Sequence, residues 1–326
     1  MKRTNIKKTA KKIKGSLPGL GVGLLAAAGH FIKVAPLITG LSVLLWAFAG
    51  TASAETATPP AKDMELYLLI GQSNMAGRGK VDEESKQIHP RVFMLNKDGQ
   101  WVPATDPLHF DKPSAGVGPG LAFGKALAEA APEVRIGLIP CAVGGTSIKA
   151  WSPGYQDQGT KAYPYDDMLR RVRLALKDGS LKGIIWHQGE SDRPATDWSR
   201  KQYTEKFKEL IDRLRKDLDT GQVPFVAGEL PELDDSIRER TQRFNELLHG
   251  LESTVACYAC VSAKDLIDGG DKLHLDSKSA RILGQRYAEV MLRLLKGRQV
   301  TPDSKGTEQT KDAPDSKQHI NAVEGN

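Results

Sequence analysis

Two residues in this chain are placed to do chemistry: a serine in a glycine-lined turn and a histidine three positions after an aspartate. The serine lies in Gly71-Gln72-Ser73-Asn74-Met75-Ala76-Gly77-Arg78-Gly79, directly after an apolar run at 66–70. A serine at a strand's end can expose its hydroxyl while backbone N–H groups converge beside it, as a nucleophile requires. A tight turn that uses glycine for its backbone angles would leave the same trace. The Gly-Lys-Ser/Thr ending of a phosphate-cradling loop is missing, and so is any Gly-x-Ser-x-Gly elbow. The histidine lies in Asp271-Lys272-Leu273-His274-Leu275-Asp276, just ahead of a helical pattern. An aspartate at that spacing can hydrogen-bond the imidazole and fix its tautomer, leaving the other ring nitrogen for a nucleophile. Capping of the next helix by Asp276 or Ser277 is the bland account of that segment alone. Taken together, an early serine and a late Asp-x-x-His favour nucleophilic catalysis.

Two further segments follow apolar runs at 134–139 and 183–186. In Cys141-Ala142-Val143-Gly144-Gly145-Thr146-Ser147, adjacent glycines let backbone approach a ligand, so the Gly145 N–H can serve an oxyanion. In Trp186-His187-Gln188-Gly189-Glu190-Ser191-Asp192, Gln188 offers a side-chain amide donor of the same use. Gln72, Asn74, Arg78, Trp151 and Glu190 are the remaining candidates for binding substrate or shaping the site. Glu190 could orient His274, though Asp271 is preferred for its local spacing. Trp151 could stack on a sugar ring or fill the core, and Arg78 could hold a substrate hydroxyl or brace its loop. His187 reads as pocket lining or as a packed histidine. His109 and His249 have no evident partners.

These segments need elements to hold them. Strand-length apolar runs at 66–70, 134–139, 183–186, 223–227 and 255–261 alternate with helical patterns at 121–131, 165–177, 198–218, 236–250 and 277–296. Such alternation predicts an α/β fold, a parallel sheet covered on both faces, with functional residues beyond the carboxyl ends of the strands. The net charge of +6 looks like an invitation to nucleic acid, but residues 1–54 contribute +8 and no acid, leaving −2 on 55–326. The basicity therefore belongs to a leader, and no nucleic-acid partner is expected. That leader has a lysine-rich start, apolar stretches and Ala52-Ser53-Ala54, which predict a signal peptide cleaved after Ala54. An uncleaved membrane anchor is the less favoured alternative, because the second apolar stretch is short for a span. Either way the domain is exported, to the cell envelope or beyond. Residues 55–63 read as a linker, 64–297 as one domain and 298–326 as a disordered polar tail. The cysteines are Cys141, Cys257 and Cys260. Cys257 and Cys260 could form a local disulfide; one Cys-x-x-Cys is a poor zinc signal, the segment does not suit a thioredoxin-like role, and two small buried residues or one incidental bridge is the preferred reading.

The four blocks GQSNMAGRG, IPCAVGGTSI, WHQGESD and DKLHLD together resemble the SGNH-hydrolase superfamily, and within it carbohydrate esterase family 6 and the sialate O-acetylesterase-like domains. The resemblance spans about residues 66–290. It implies a flavodoxin-like three-layer α/β/α sandwich with a parallel central sheet, and removal of acetyl groups from acetylated carbohydrate such as acetylxylan or sialate esters. It further implies Ser73 as nucleophile, His274 as base and Asp271 as orienting acid. The oxyanion hole would be the N–H groups of Ser73 and Gly145 with Gln188, which stands where other members carry asparagine. No metal or organic cofactor is implied. Rival readings are an SGNH esterase of lipid or short acyl esters, a non-catalytic carbohydrate-binding protein, and an envelope structural protein.

Overall fold

The computed structural model describes residues 63–193 and 196–300. The expected leader, linker and tail lie outside these residues, apart from Asp63 and the last helical turn. A seven-stranded sheet of order β3-β2-β4-β1-β5-β6-β7 forms the centre. Its strands are β1 (Met64–Gly71), β2 (Val92–Leu95), β3 (Trp101–Pro103), β4 (Arg135–Pro140), β5 (Gly179–His187), β6 (Phe225–Gly228) and β7 (Tyr258–Val261). All neighbouring pairs are parallel except β2 with β3, which is antiparallel. The expected α/β sandwich is present. The β2–β3 hairpin at its edge was not expected, because β2 has four residues, β3 three, and β3 ends in proline.

The centre of the sheet explains its patterning. In β1, Met64, Leu66, Leu68 and Ile70 enter one core while Tyr67 and Leu69 enter the other. Both sets are apolar, as the two-residue period requires of a strand covered on both faces. One face carries α2 (Pro119–Ala130) and α6 (Ser277–Val300), whose Phe123, Leu127, Leu283 and Tyr287 are buried. The other carries α3 (Pro164–Ala175), α4 (Asp197–Asp217) and α5 (Arg238–Gly250), through Met168, Val172, Phe207, Leu210, Phe244 and Leu248. Helix starts follow local chemistry. Proline sits in the first turn of α2 and α3, where the missing N–H costs nothing, and Thr196 with Ser199 closes a capping box on α4. Helix α6 runs to Val300, four residues past the expected end and into the predicted tail.

Trp151, a candidate sugar platform, belongs instead to the core. It is fully buried, with its ring 5.3 Å from that of Trp186 in an edge-to-face contact. All three cysteines are free thiols.

One buried carboxyl makes a testable pH dependence. Burial raises the Asp106 pKa to about 7, against the pull of the Arg281 charge. An acid whose folded pKa lies above its unfolded value binds its proton longer in the fold, so its contribution weakens stability as pH rises from about 4 to 7. Asp106→Asn is therefore expected to melt above the wild type at pH 8. The gain should vanish near pH 4, and thermal unfolding at both pH values checks it.

Candidate active site

The site forms where β1, β4 and β5 end, between the loops that follow them and the loop before α6. Strand β1 stops at Gly71, whose φ is +134°. A Cβ there would fall 2.1 Å from the His187 carbonyl oxygen, so only glycine lets β1 and β5 run this close at their ends. The Gln72 N–H then donates to His187 O at 2.9 Å, and the chain turns at once into a four-residue helix, α1 (Ser73–Ala76). Ser73 opens that helix, and its own N–H has no partner among the described residues.

The Ser73 hydroxyl lies 3.0 Å from His274 Nε2, across 201 residues of sequence. His274 Nδ1 lies 2.6 Å from Asp271 Oδ2. Asp271 Oδ1 accepts the backbone N–H groups of Leu273 (2.9 Å) and His274 (2.7 Å). Partial burial works against the ionised Asp271, but these donations outweigh it and hold the carboxyl below its ordinary value. An ionised Asp271 only accepts, so His274 carries its proton on Nδ1 and turns the Nε2 lone pair toward the serine.

Asn74 fixes this geometry from behind. Its Nδ2 donates to Glu190 Oε1 at 2.6 Å and to Leu273 O at 3.1 Å, and its Oδ1 accepts the Leu275 N–H at 3.0 Å. The residues on both sides of His274 are thus pinned to the residue after Ser73. Asn74→Ala would strand a buried N–H and a buried carboxylate. We expect it to cost about 2–4 kcal/mol in denaturant unfolding and to lower kcat about tenfold as His274 loosens.

The glycine block sits opposite. Gly144 N–H donates to Asp111 Oδ2 at 2.8 Å, and the same oxygen takes Arg78 Nη2 at 2.7 Å. Arg78 also donates to Gly77 O at 2.6 Å, so it braces the turn while lining the cleft. Gly145 adopts φ +85°, and its N–H has no acceptor among the described residues. Both faces meet in a cleft of about 360 Å³ lined by Ser73, Gly145, Glu190, Ser191 and His274, among others.

The structure corrects the reading of Gln188. Its side chain is sealed from solvent, and its Oε1 accepts the Tyr203 hydroxyl at 3.0 Å. That donor fixes the amide's orientation, and Nε2 points inward to Thr146 O (3.1 Å), Asp192 Oδ2 (2.5 Å) and Gln72 Oε1 (3.2 Å). With its amide hydrogens spent inside the protein, Gln188 has none left for a ligand. Gln72 is the residue left with a free donor. Its Oε1 accepts from Gln188 and from the Ser191 N–H at 3.3 Å, which leaves Nε2 without a partner among the described residues, on a side chain that lines the cleft. The sequence signal was present, since Gln72 directly precedes the serine, but position alone could not say which glutamine faced outward.

The other candidates have structural partners. Glu190 bonds Asn74 rather than His274. Tyr287 donates its hydroxyl to Trp186 O at 2.7 Å, so His187 Nδ1–H donates to Tyr287 Oη at 3.2 Å. Burial lowers the His187 pKa and keeps the ring neutral, a packed histidine. His109 Nδ1 accepts the Ala142 N–H at 3.2 Å, and burial drops its pKa to about 3. His249, which lacked a visible partner in sequence, lies 2.7 Å from Glu229 and 3.6 Å from Glu252. Among the described residues no group of three His, Cys, Asp or Glu is placed to hold a metal ion.

Residues 63–293 match the family model "Carbohydrate esterase, sialic acid-specific acetylesterase". The chain belongs to this carbohydrate esterase family. As a member it is an ester hydrolase of the acetylesterase kind. It is 32% identical over 253 residues to a probable carbohydrate esterase of Arabidopsis thaliana, covering 72% of this chain and 92% of that one. The X-ray structure of an Arabidopsis thaliana protein superposes on the esterase with a TM-score of 0.60 at 31% identity, covering 72% and 99% of the two chains. NanS, at 19% identity, gives a TM-score of 0.58 over 73% of this chain and 99% of its own. A carbohydrate acetylesterase from Xanthomonas citri, at 21% identity, gives 0.54 over 72% and 57%. These last two likenesses speak to the fold.

Proposed function

We propose that this esterase is an exported serine acetylesterase that removes O-acetyl groups from carbohydrate through an acetyl-enzyme on Ser73. The observation that carries the reading is the continuous chain Ser73 Oγ, His274 Nε2, His274 Nδ1 and Asp271 Oδ2, with links of 3.0 and 2.6 Å. His274 takes the Ser73 proton as Oγ attacks the acetyl carbonyl, and Asp271 stabilises the imidazolium that results. The tetrahedral oxyanion is met by the N–H groups of Ser73 and Gly145 and by Gln72 Nε2. None of the three has a partner among the described residues, and each contributes about 2.7–4 kcal/mol where such donors have been removed elsewhere. His274 then protonates the departing sugar oxygen, and water activated by the same imidazole releases acetate. This route uses protein groups and water throughout.

Export rests on the leader's lysines, apolar stretches and Ala52-Ser53-Ala54. N-terminal sequencing of protein from the host's envelope or medium should begin at Glu55. A start at Met1 would support the anchor instead. The substrate class is tested by acetate release from 4-nitrophenyl acetate, acetylated xylan and O-acetylated sialic acid. Release from either glycan supports the carbohydrate reading, and cleavage of the small ester alone would turn it toward short acyl esters.

A further inference from the structure

A second cavity lies one wall away from the cleft. It has a volume of about 270 Å³ and is floored by Pro140, Cys141, Ala142 and Val143, the residues that lead directly into Gly144 and Gly145. The segment 110–112 ties the two spaces together residue by residue. Phe110 faces the cavity, Asp111 lines it while holding the Gly144 N–H, and Lys112 lines the cleft.

The cavity's walls combine one aromatic face with a ring of charged and hydroxyl groups. Phe110 is 44% exposed, and it is held rather than loose. The Arg171 guanidinium lies 4.7 Å from its ring centroid and is itself anchored to Leu95 O and Asn96 O. Around it stand Lys97, which has no partner among the described contacts, Thr160, and the helix pair Asp167 and Arg170, 3.2 Å apart. A fixed aromatic platform in a cavity that Lys97, Asp167 and Arg170 also line matches the two sides of a sugar ring. The C–H face of the ring packs on π-density, while the equatorial hydroxyls pair with carboxylate, guanidinium and ammonium.

We propose that this cavity is a second sugar subsite, holding the unit adjacent to the acetylated one in an oligosaccharide substrate. The inference rests on the carbohydrate acetylesterase reading and adds a chain-length preference to it. Acetate in the cleft and a sugar on Phe110 would be separated by the thickness of the Asp111–Gly144 wall, so an acetylated monosaccharide engages only the cleft.

The test is kcat/KM on 4-nitrophenyl acetate and on acetylated xylose, xylobiose and xylotriose, for the wild type, Phe110→Ala and Arg170→Ala. We expect the wild type to gain about tenfold between the acetylated mono- and disaccharide, mainly through KM. Phe110→Ala should lose that gain and keep wild-type activity on 4-nitrophenyl acetate. Arg170, whose side chain is largely exposed on α3, can be removed without disturbing the core. Arg170→Ala should therefore show the same selective loss even if Phe110→Ala perturbs its neighbour Asp111. A wild-type series that is flat with length, or not hydrolysed by an enzyme active on 4-nitrophenyl acetate, would overturn the subsite. So would variants that keep the full gain. A wild-type protein inactive on all four esters would overturn the acetylesterase reading itself, and the subsite with it.

Discussion

Ser73→Ala is expected to lower kcat for acetyl esters by about ten-thousand-fold or more, leaving a folded protein with near-normal stability. The hydroxyl donates a single hydrogen bond, to His274 at 3.0 Å, and its loss is worth about 1 kcal/mol at most in unfolding. In the proposed reaction the same oxygen becomes the ester oxygen of the intermediate, so nothing else in the cleft can substitute for it. His274→Ala should cost a similar factor. The double variant should be little worse than either single one, because nucleophile and base act as a unit. Steady-state kinetics with 4-nitrophenyl acetate, alongside thermal unfolding, separates this from general damage. A double variant whose losses multiply would mean that the two side chains act independently, contrary to the hydrogen bond between them.

Gln72→Ala should lower kcat by about a hundred- to thousandfold with little change in KM. The Gln72 amide is oriented by two donors, Gln188 Nε2 and the Ser191 N–H, which hold its oxygen and leave its nitrogen free to meet the proposed oxyanion. An interaction made only with the developing charge raises kcat and not ground-state binding. Gln188 acts one step further back, as a positioning residue. Gln188→Met would remove the donor that steers Gln72 and leave Tyr203, Thr146 and Asp192 without their partner. Its effect on kcat should therefore come with a loss of stability that Gln72→Ala does not show. If Gln188→Met alone impaired kcat and Gln72→Ala had no effect, the assignment of the two glutamines would be reversed.

That pair of residues shows where the sequence stops being informative. Both glutamines sit immediately after a strand, each in a glycine-bearing segment, and each carries the same amide. What separates them is the direction of that amide, set by the Tyr203 hydroxyl from α4 and the Thr146 carbonyl from another loop. These contacts span 15 and 42 residues, and no local pattern encodes them. Trp151 was ambiguous for a related reason. An aromatic shortly after the glycine block suits a sugar platform or a core, and only the packing of α3 and α4 over the sheet decides for the core. The grouping of Ser73, His274 and Asp271 was legible because their signals are short. A glycine turn after an apolar run and an Asp-x-x-His before a helix each carry their geometry within a few residues. The alternation of β1, β4, β5, β6 and β7 with helices was legible because both faces of the central strands are apolar. The β2–β3 edge was not, since two short strands leave too few residues to establish a period.

The proposed acetyl-enzyme on Ser73 is seen most directly by mass spectrometry of the protein quenched in acid during turnover of 4-nitrophenyl acetate. One acetyl group is expected on the peptide that contains Ser73, with a burst of 4-nitrophenolate equivalent to the enzyme present, both absent in Ser73→Ala. Continued acetate release with Ser73 never modified, or an acetyl group found on another residue, would rule out Ser73 as the nucleophile.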